Sequence, residues 1–414
     1  MHCRHCATET DLLLVDLGNQ PSANKLPSAG ELRAIENGIE EPMFPLRVYV
    51  CGNCYLAQLA DFRRPETMFR SDYAYYSSYS GSWMDHARRY VDMVTERFGL
   101  SKDSFVVEVA SNDGYLLRNF VANGVPCLGV DPAENCAERA KQHGVETVVD
   151  FFGADLAKQL AAERGHADLV LGNNVLAHVP DINNFVAGLR EMVAASGVIT
   201  LEFPHLARLL EYTQFDTIYD EHYSYLSLGA VSRIFGAQGL NVFDVEELPT
   251  HGGSLRVFGQ RAEAGRPASA AVTAVLEAES RMGLDSKGLY ESFQAKVNKI
   301  RDDFLGLVQR EKADGKKIAA FGAAAKGNTF LNYCGVGTET IDFVVDDTPV
   351  KQGRFLPGSH IPVVPEDVLK HEKPDLVVIL AWNFAPELTK RLSYITEWGG
   401  RVATAIPEVR VISP

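Results

Sequence analysis

Short apolar runs, each closed by polar or glycine residues, recur in two series along the chain. The first series comprises Phe105-Val106-Val107-Glu108-Val109, Cys127-Leu128-Gly129-Val130, Leu169-Val170-Leu171 and Val198-Ile199-Thr200-Leu201. The second comprises Lys317–Phe321, Ile341–Val345, Leu376–Leu380 and Arg401–Ala405. Runs of this length, apolar throughout and separated by helix-length segments, predict parallel strands buried on both faces. Ahead of the first series, Tyr90, Val91, Val94 and Phe98 fall at helical spacing within Arg88 to Leu100. Between the two series, Ala268 to Glu311 is rich in Ala, Glu, Lys and Arg and has no Pro, which predicts a helical link. The expected fold class is therefore α/β, in three pieces: a small module over 1–70, a nucleotide-cofactor type domain over 71–262, and a helical link with a second Rossmann-like domain over 263–414.

The small module carries two C-x-x-C pairs, Cys3/Cys6 and Cys51/Cys54, beside a strand-like Leu46–Val50. The first residues have no apolar stretch of a secretory signal, so a reducing cytoplasm is expected and metal is favoured over disulfide. Four thiolates suit a structural, tetrahedral Zn²⁺; unligated thiols or a disulfide pair are the alternatives. Cys127, Cys136 and Cys334 read as ordinary buried cysteines. The net charge of -14 argues against nonspecific nucleic-acid binding. No apolar run is long enough to span a membrane. A few placed cations could still hold an anionic small molecule.

The run ending at Val109 leads into Ala110-Ser111-Asn112-Asp113-Gly114 and then a helix-like stretch. Strand, tight turn and helix place a ligand at the carboxyl end of a sheet. The next run ends at Asp131-Pro132, where an acid can bind ribose hydroxyls; a later one ends at Asn173-Asn174. No G-x-G-x-x-G occurs, which disfavours a dinucleotide. S-adenosylmethionine (SAM) has no pyrophosphate to cradle and fits the pattern better. Glu108, Ala110, Ser111, Asn112, Asp113, Gly114, Asp131, Pro132, Asn173 and Asn174 are the candidate cofactor residues.

These motifs, with Asn24 in L-G-N-Q-P-S-A-N, Tyr75-Tyr76-Ser77-Ser78, Tyr219-Asp220-Glu221-His222, His251–Arg256 and Gly322–Thr329, resemble the SAM-dependent sugar C-methyltransferases of deoxysugar pathways, along essentially the whole chain. The resemblance implies a class I methyltransferase domain and a nucleotide-linked keto-deoxysugar, dTDP-linked by expectation, as substrate. It implies His222 as general base, with Glu221, Tyr219, His178, Tyr75 and Tyr76 lining the sugar site. It further implies substrate contacts from Asn24, Lys25, Ser78, His251, Arg256 and Lys326. Ala110 departs from the pattern, since glycine is usual there.

Carbon methylation beside a ketone needs a base for the α-proton, stabilisation of the enolate oxygen, and alignment of carbon with methyl. Imidazole titrates near neutrality, and Phe215–Tyr225 is too polar for a core and too aromatic for a simple loop. Gly322–Thr329 has a P-loop's spacing, but Asn328 stands where the lysine belongs, so ATP hydrolysis is excluded. Methylation at sugar oxygen or nitrogen, a nicotinamide oxidoreductase using the C-terminal half, and a zinc scaffold without enzymatic activity remain the competing readings.

Overall fold

The computed structural model describes residues 1–60 and 76–412 of the 414. It contains three sheets, with helices between and around them.

The central sheet has seven strands, in the spatial order Leu240–Leu248, Ser254–Arg261, Val193–Pro204, Ala167–Asn173, Val106–Val109, Cys127–Val130, Thr147–Val148. The last five are parallel to one another, and Ser254–Arg261 runs antiparallel to both its neighbours. Val106–Val109 is buried at every residue, which is why its sequence carries no alternation. Helix Gly81–Phe98 lays Ala87, Tyr90, Val91 and Val94 on this sheet. Ser80 caps its start by accepting the Trp83 N–H, and Gly99 ends it at φ +65°.

A second, six-stranded sheet runs Val363–Val364, Val344–Val345, Ile318–Phe321, Leu376–Ile379, Arg401–Thr404, Arg410–Ile412, with only the last strand antiparallel. The segment before it, expected as a continuous helix, is three helices: Ala270–Met282, Lys287–Glu291 and Phe293–Ala313. Gly283, in the left-handed region at φ +93°, ends the first of them.

The third sheet is antiparallel: Leu12–Pro21, Met43–Val50, Ala57–Leu59 and Ser224–Tyr225. Its last strand comes from far along the chain. After Pro204 the chain leaves the central sheet and makes the helix Leu206–Glu211 and a turn at Phe215–Thr217. It then pairs Ser224–Tyr225 with Ala57–Leu59. One hydrophobic core accordingly joins Val48 and Leu59, Leu206, Phe215 and Ile218 of the excursion, Phe304, and Phe330 and Val378 of the C-terminal sheet. No described helix is long and apolar enough to cross a membrane.

Candidate active site

The carboxyl ends of the two parallel sheets open onto one shared cavity of about 1050 Å³. Val109, Ala110, Asn112, Val130, Asp131 and Asn173 line it from the central sheet, and Ala324, Ala325, Lys326, Ala381 and Asn383 from the C-terminal sheet. Tyr219, Glu221 and His222 of the excursion enter between them, near His178.

On the central side, Ala110 and Asn112 adopt left-handed backbone, φ +57° and +48°. Ala110 stands where glycine would be unstrained. The Asp131 carboxylate accepts the Asn112 N–H at 2.8 Å and the Ala133 N–H at 2.9 Å. It thereby braces the turn while its remaining lone pairs face the cavity. Burial, with Asp113 nearby, raises its pKa even against those two donors. Asn173 Nδ2 and Asn174 Oδ1 are buried without a partner among the described residues, and both residues line the cavity. These amide atoms and the Asp131 carboxylate are polar groups that a ligand at this edge of the cavity could engage.

Glu108, Ser111, Asp113 and Gly114 lie beneath this surface and do not line it. The Glu108 carboxyl faces the Leu117 N–H at the head of the next helix; burial, with Asp131 and Asp113, holds its pKa well above the ordinary carboxylate range. Ser111 sits under the next strand, where a Cβ at Gly129 would come within 2.4 Å of its Oγ. Pro132 lines the cavity beside Asp131.

On the reacting side, His222 Nδ1 lies 2.8 Å from the Thr217 carbonyl oxygen, which can only accept. Nδ1 therefore carries the proton, and Nε2 presents a lone pair. Burial first, and then His178, push the His222 pKa well below its usual value, so the imidazole is neutral near pH 7. The His178 ring meets it edge to face at 4.7 Å and the Tyr219 ring lies at 4.0 Å. Burial lowers His178 to about 4. Glu221 accepts the Asn24 amide at 2.9 Å.

His251, strained at φ +55°, touches Asn174 Nδ2 at 3.1 Å. Burial, helped by Lys326, brings its pKa to about 4. Lys326 opens the helix Ala325–Cys334; its ammonium donates to Asn383 Oδ1 at 2.8 Å and lies 4.6 Å from the Trp382 ring centre. Burial lowers its pKa, against the pull of Asp216.

Other expected residues lie elsewhere. Tyr75 falls outside the described residues. The Tyr76 hydroxyl accepts from Asn135 at 2.8 Å, and Arg139 covers its ring at 4.5 Å, so it packs on the helix Glu134–Lys141 and does not line the cavity. Ser78 donates to Asp113 at 2.5 Å and, like the exposed Lys25, does not line the cavity. Arg256 lines it, but its guanidinium is bound to Glu202 and Glu246, both at 2.8 Å. His86 also reaches Glu202, at 2.8 Å. Sequence reading missed this His86–Glu202–Arg256 group. The signal was the acid Glu202 inside the strand-like run Ile199–Phe203.

The four cysteines Cys3, Cys6, Cys51 and Cys54 gather their sulfurs within 4.8 Å of one another. Cys3–Cys54 and Cys6–Cys51 are 3.5 Å apart, close to the roughly 3.8 Å edge of a tetrahedron with Zn–S of about 2.3 Å. No disulfide links them. The donor set fits a closed structural zinc site.

The sheet order, with an acid and two asparagines at its carboxyl edge and a neutral histidine across the cavity, is compatible with a methyltransferase. Residues 83–245 match the methyltransferase domain family, residues 3–69 a zinc binding domain, and residues 249–407 the C-methyltransferase C-terminal domain. The chain is 39% identical to the C-methyltransferase NovU of Streptomyces niveus over 412 residues, 99% of this chain and 96% of that one. It therefore belongs to the C-methyltransferase family and is a SAM-dependent C-methyltransferase with an N-terminal zinc-binding module. A shorter likeness, 28% over 116 residues, links it to the ubiquinone biosynthesis O-methyltransferase of Mesorhizobium japonicum, covering 26% of this chain and 47% of that one. Among solved structures, the 1,6-didemethyltoxoflavin-N1-methyltransferase of Burkholderia thailandensis is 18% identical, with TM-score 0.36, over 50% of this chain and 96% of that one.

Proposed function

We propose that the substrate is a nucleotide-linked keto-deoxysugar, methylated at the carbon next to its ketone. The observation that carries this reading is the fixed tautomer of His222, which leaves Nε2 the basic nitrogen of a ring lining the same cavity as Asp131. A base so placed can take an α-proton or a hydroxyl proton; the 39% identity to a C-methyltransferase over 412 residues favours carbon.

The Thr217 carbonyl holds the ring in place, and Nε2 takes the α-proton. Tyr219 and His178, beside the His222 ring, offer donors toward the enolate oxygen, and Glu221, held by Asn24, orients the sugar hydroxyls. SAM, when bound, would supply an electrophilic methyl to that carbon and keep the departing electron pair on sulfur. Asp131, Asn173 and Asn174 are the residues that would hold it. Lys326, at the first turn of Ala325–Cys334, is the cation for the nucleotide's diphosphate. The reaction belongs to deoxysugar biosynthesis in a reducing cytoplasm, where four thiolates stay available to zinc.

Incubation with methyl-labelled SAM and a panel of nucleotide keto-sugars, with the label located by NMR, tests this. Label on a sugar carbon adjacent to the ketone supports it. Label on oxygen or nitrogen alone refutes it.

A further inference from the structure

The segment bearing Tyr219, Glu221 and His222 gains much of its fixed geometry from outside its own domain. Its strand Ser224–Tyr225 is the fourth strand of the N-terminal sheet, paired with Ala57 and Gln58. The Tyr223 peptide is held from both sides: its N–H donates to the Ala177 carbonyl, beside His178, at 2.8 Å, and its carbonyl accepts the Leu59 N–H at 3.1 Å. Earlier in the segment, Asp220 accepts the Ala23 N–H at 3.1 Å, and Glu221 accepts the Asn24 amide at 2.9 Å.

The module that grips the segment is itself tied to the cysteine cluster. Ala57 is three residues beyond Cys54, and the Cys51 N–H donates to the Leu56 carbonyl at 3.0 Å. Fully buried Gln58 accepts the Arg4 N–H, from between Cys3 and Cys6, at 2.9 Å. Backbone and buried-amide hydrogen bonds thus lead from the sulfur cluster to Tyr223–Tyr225, the residues that directly follow His222.

We infer that the N-terminal module is a positioning element of the active site: the strand Ala57–Leu59 and the turn Ala23–Asn24 set the Glu221–His222 pair against His178. Asn24 is a positioning residue in this scheme, acting through the Glu221 carboxylate. The assignment of a chemical role to that pair rests on the proposed function, whereas the mechanical coupling does not.

The test is hydrogen–deuterium exchange of the full chain, comparing zinc-loaded protein, chelator-treated protein and Asn24→Ala with its zinc retained. Faster exchange in Tyr219–Tyr225, with Val106–Val109 and Cys127–Val130 unchanged, is expected for both perturbed forms. If chelation loosens the whole chain, Asn24→Ala decides by the same criterion. Unchanged exchange in Tyr219–Tyr225 of Asn24→Ala overturns the inference.

With a turning-over keto-sugar, Asn24→Ala should lose roughly 10- to 100-fold in kcat, the worth of a hydrogen bond to a charged group. SAM affinity and KM should stay near wild type, and Asn24→Ser should recover part of the loss. A wild-type kcat in Asn24→Ala also overturns it. Failure of every sugar to react leaves the exchange result to decide and counts only against the proposed substrate.

Discussion

The imidazole of His222 is tethered through Nδ1 to the Thr217 carbonyl, five residues earlier, at 2.8 Å. That single bond decides which nitrogen can act as a base. His222→Asn should keep SAM binding, measured by calorimetry, while methyl transfer falls about 10²- to 10⁴-fold. In deuterated buffer without SAM, the wild type should exchange the α-proton of the keto-sugar and the variant should not. Near-normal turnover by the variant would remove His222 from the mechanism.

Three of the four cavity histidines, His178, His222 and His251, predict a direction for acid stability. Burial holds His178 and His251 at about 4 and His222 well below its usual value. The unfolded chain, with imidazoles near 6.5, binds more protons than the folded one between those limits. Stability is therefore full above about pH 6.5 and falls as pH drops toward 4. Melting scans should show a declining Tm across that window, shallower in His178→Asn or His251→Asn; slopes identical to wild type would contradict the burial argument.

Asp131→Ala should weaken SAM by roughly ten- to a hundredfold in Kd, as expected for lost hydrogen bonds to a charged acceptor. Because the carboxylate also braces Asn112 and Ala133, Asp131→Asn should fall between wild type and alanine. Equal affinity in all three proteins would place the ribose elsewhere.

Ala110 sits at φ +57°, where a side chain costs roughly 1–2 kcal/mol and glycine costs none. Offset by the greater freedom of glycine in the unfolded chain, Ala110→Gly should stabilise by about 0.5–1 kcal/mol in urea titration. A destabilised variant would mean that the Ala110 methyl makes a packing contribution larger than its strain.

The cysteine cluster should hold about one zinc per chain, measured by elemental analysis of protein purified without chelator. Cys51→Ser should lose the metal. Fully folded, active protein with less than about a tenth of an equivalent would rule out a structural role.

The two parallel sheets were legible because strands such as Val106–Val109 and Leu376–Ile379 are buried on both faces and read as unbroken apolar runs. The cysteine pairs were legible from spacing alone. The turn Ala110–Gly114 could be placed, but not its division into Asn112 at the surface and Asp113 beneath it. That division follows from left-handed backbone at Ala110 and Asn112, conformations that neither residue type announces. The pairing of Ser224 with Gln58 spans 166 residues of sequence, and a two-residue strand leaves no periodic signal. Tyr76 looked like a cavity residue because it is aromatic and beside serines; only the positions of Asn135 and Arg139 show that it turns the other way. The helical link expected over Ala268–Glu311 is broken first at Gly283, whose left-handed backbone ends the helix Ala270–Met282.

The excursion from Leu206 to Tyr225 has a consequence for building hybrids of this enzyme with its relatives. Phe215 packs against Phe330 and Tyr333, with ring centres 6.0 and 5.4 Å apart, and Thr329 Oγ1 donates to the Ile218 carbonyl at 3.1 Å. A crossover placed near residue 263, the boundary expected from the sequence, would set one parent's excursion against the other parent's C-terminal helix. A hybrid that keeps these contacts is therefore a three-segment graft: residues 1–60, the excursion and the C-terminal half inherit together, and the central sheet is the part that can be swapped around them.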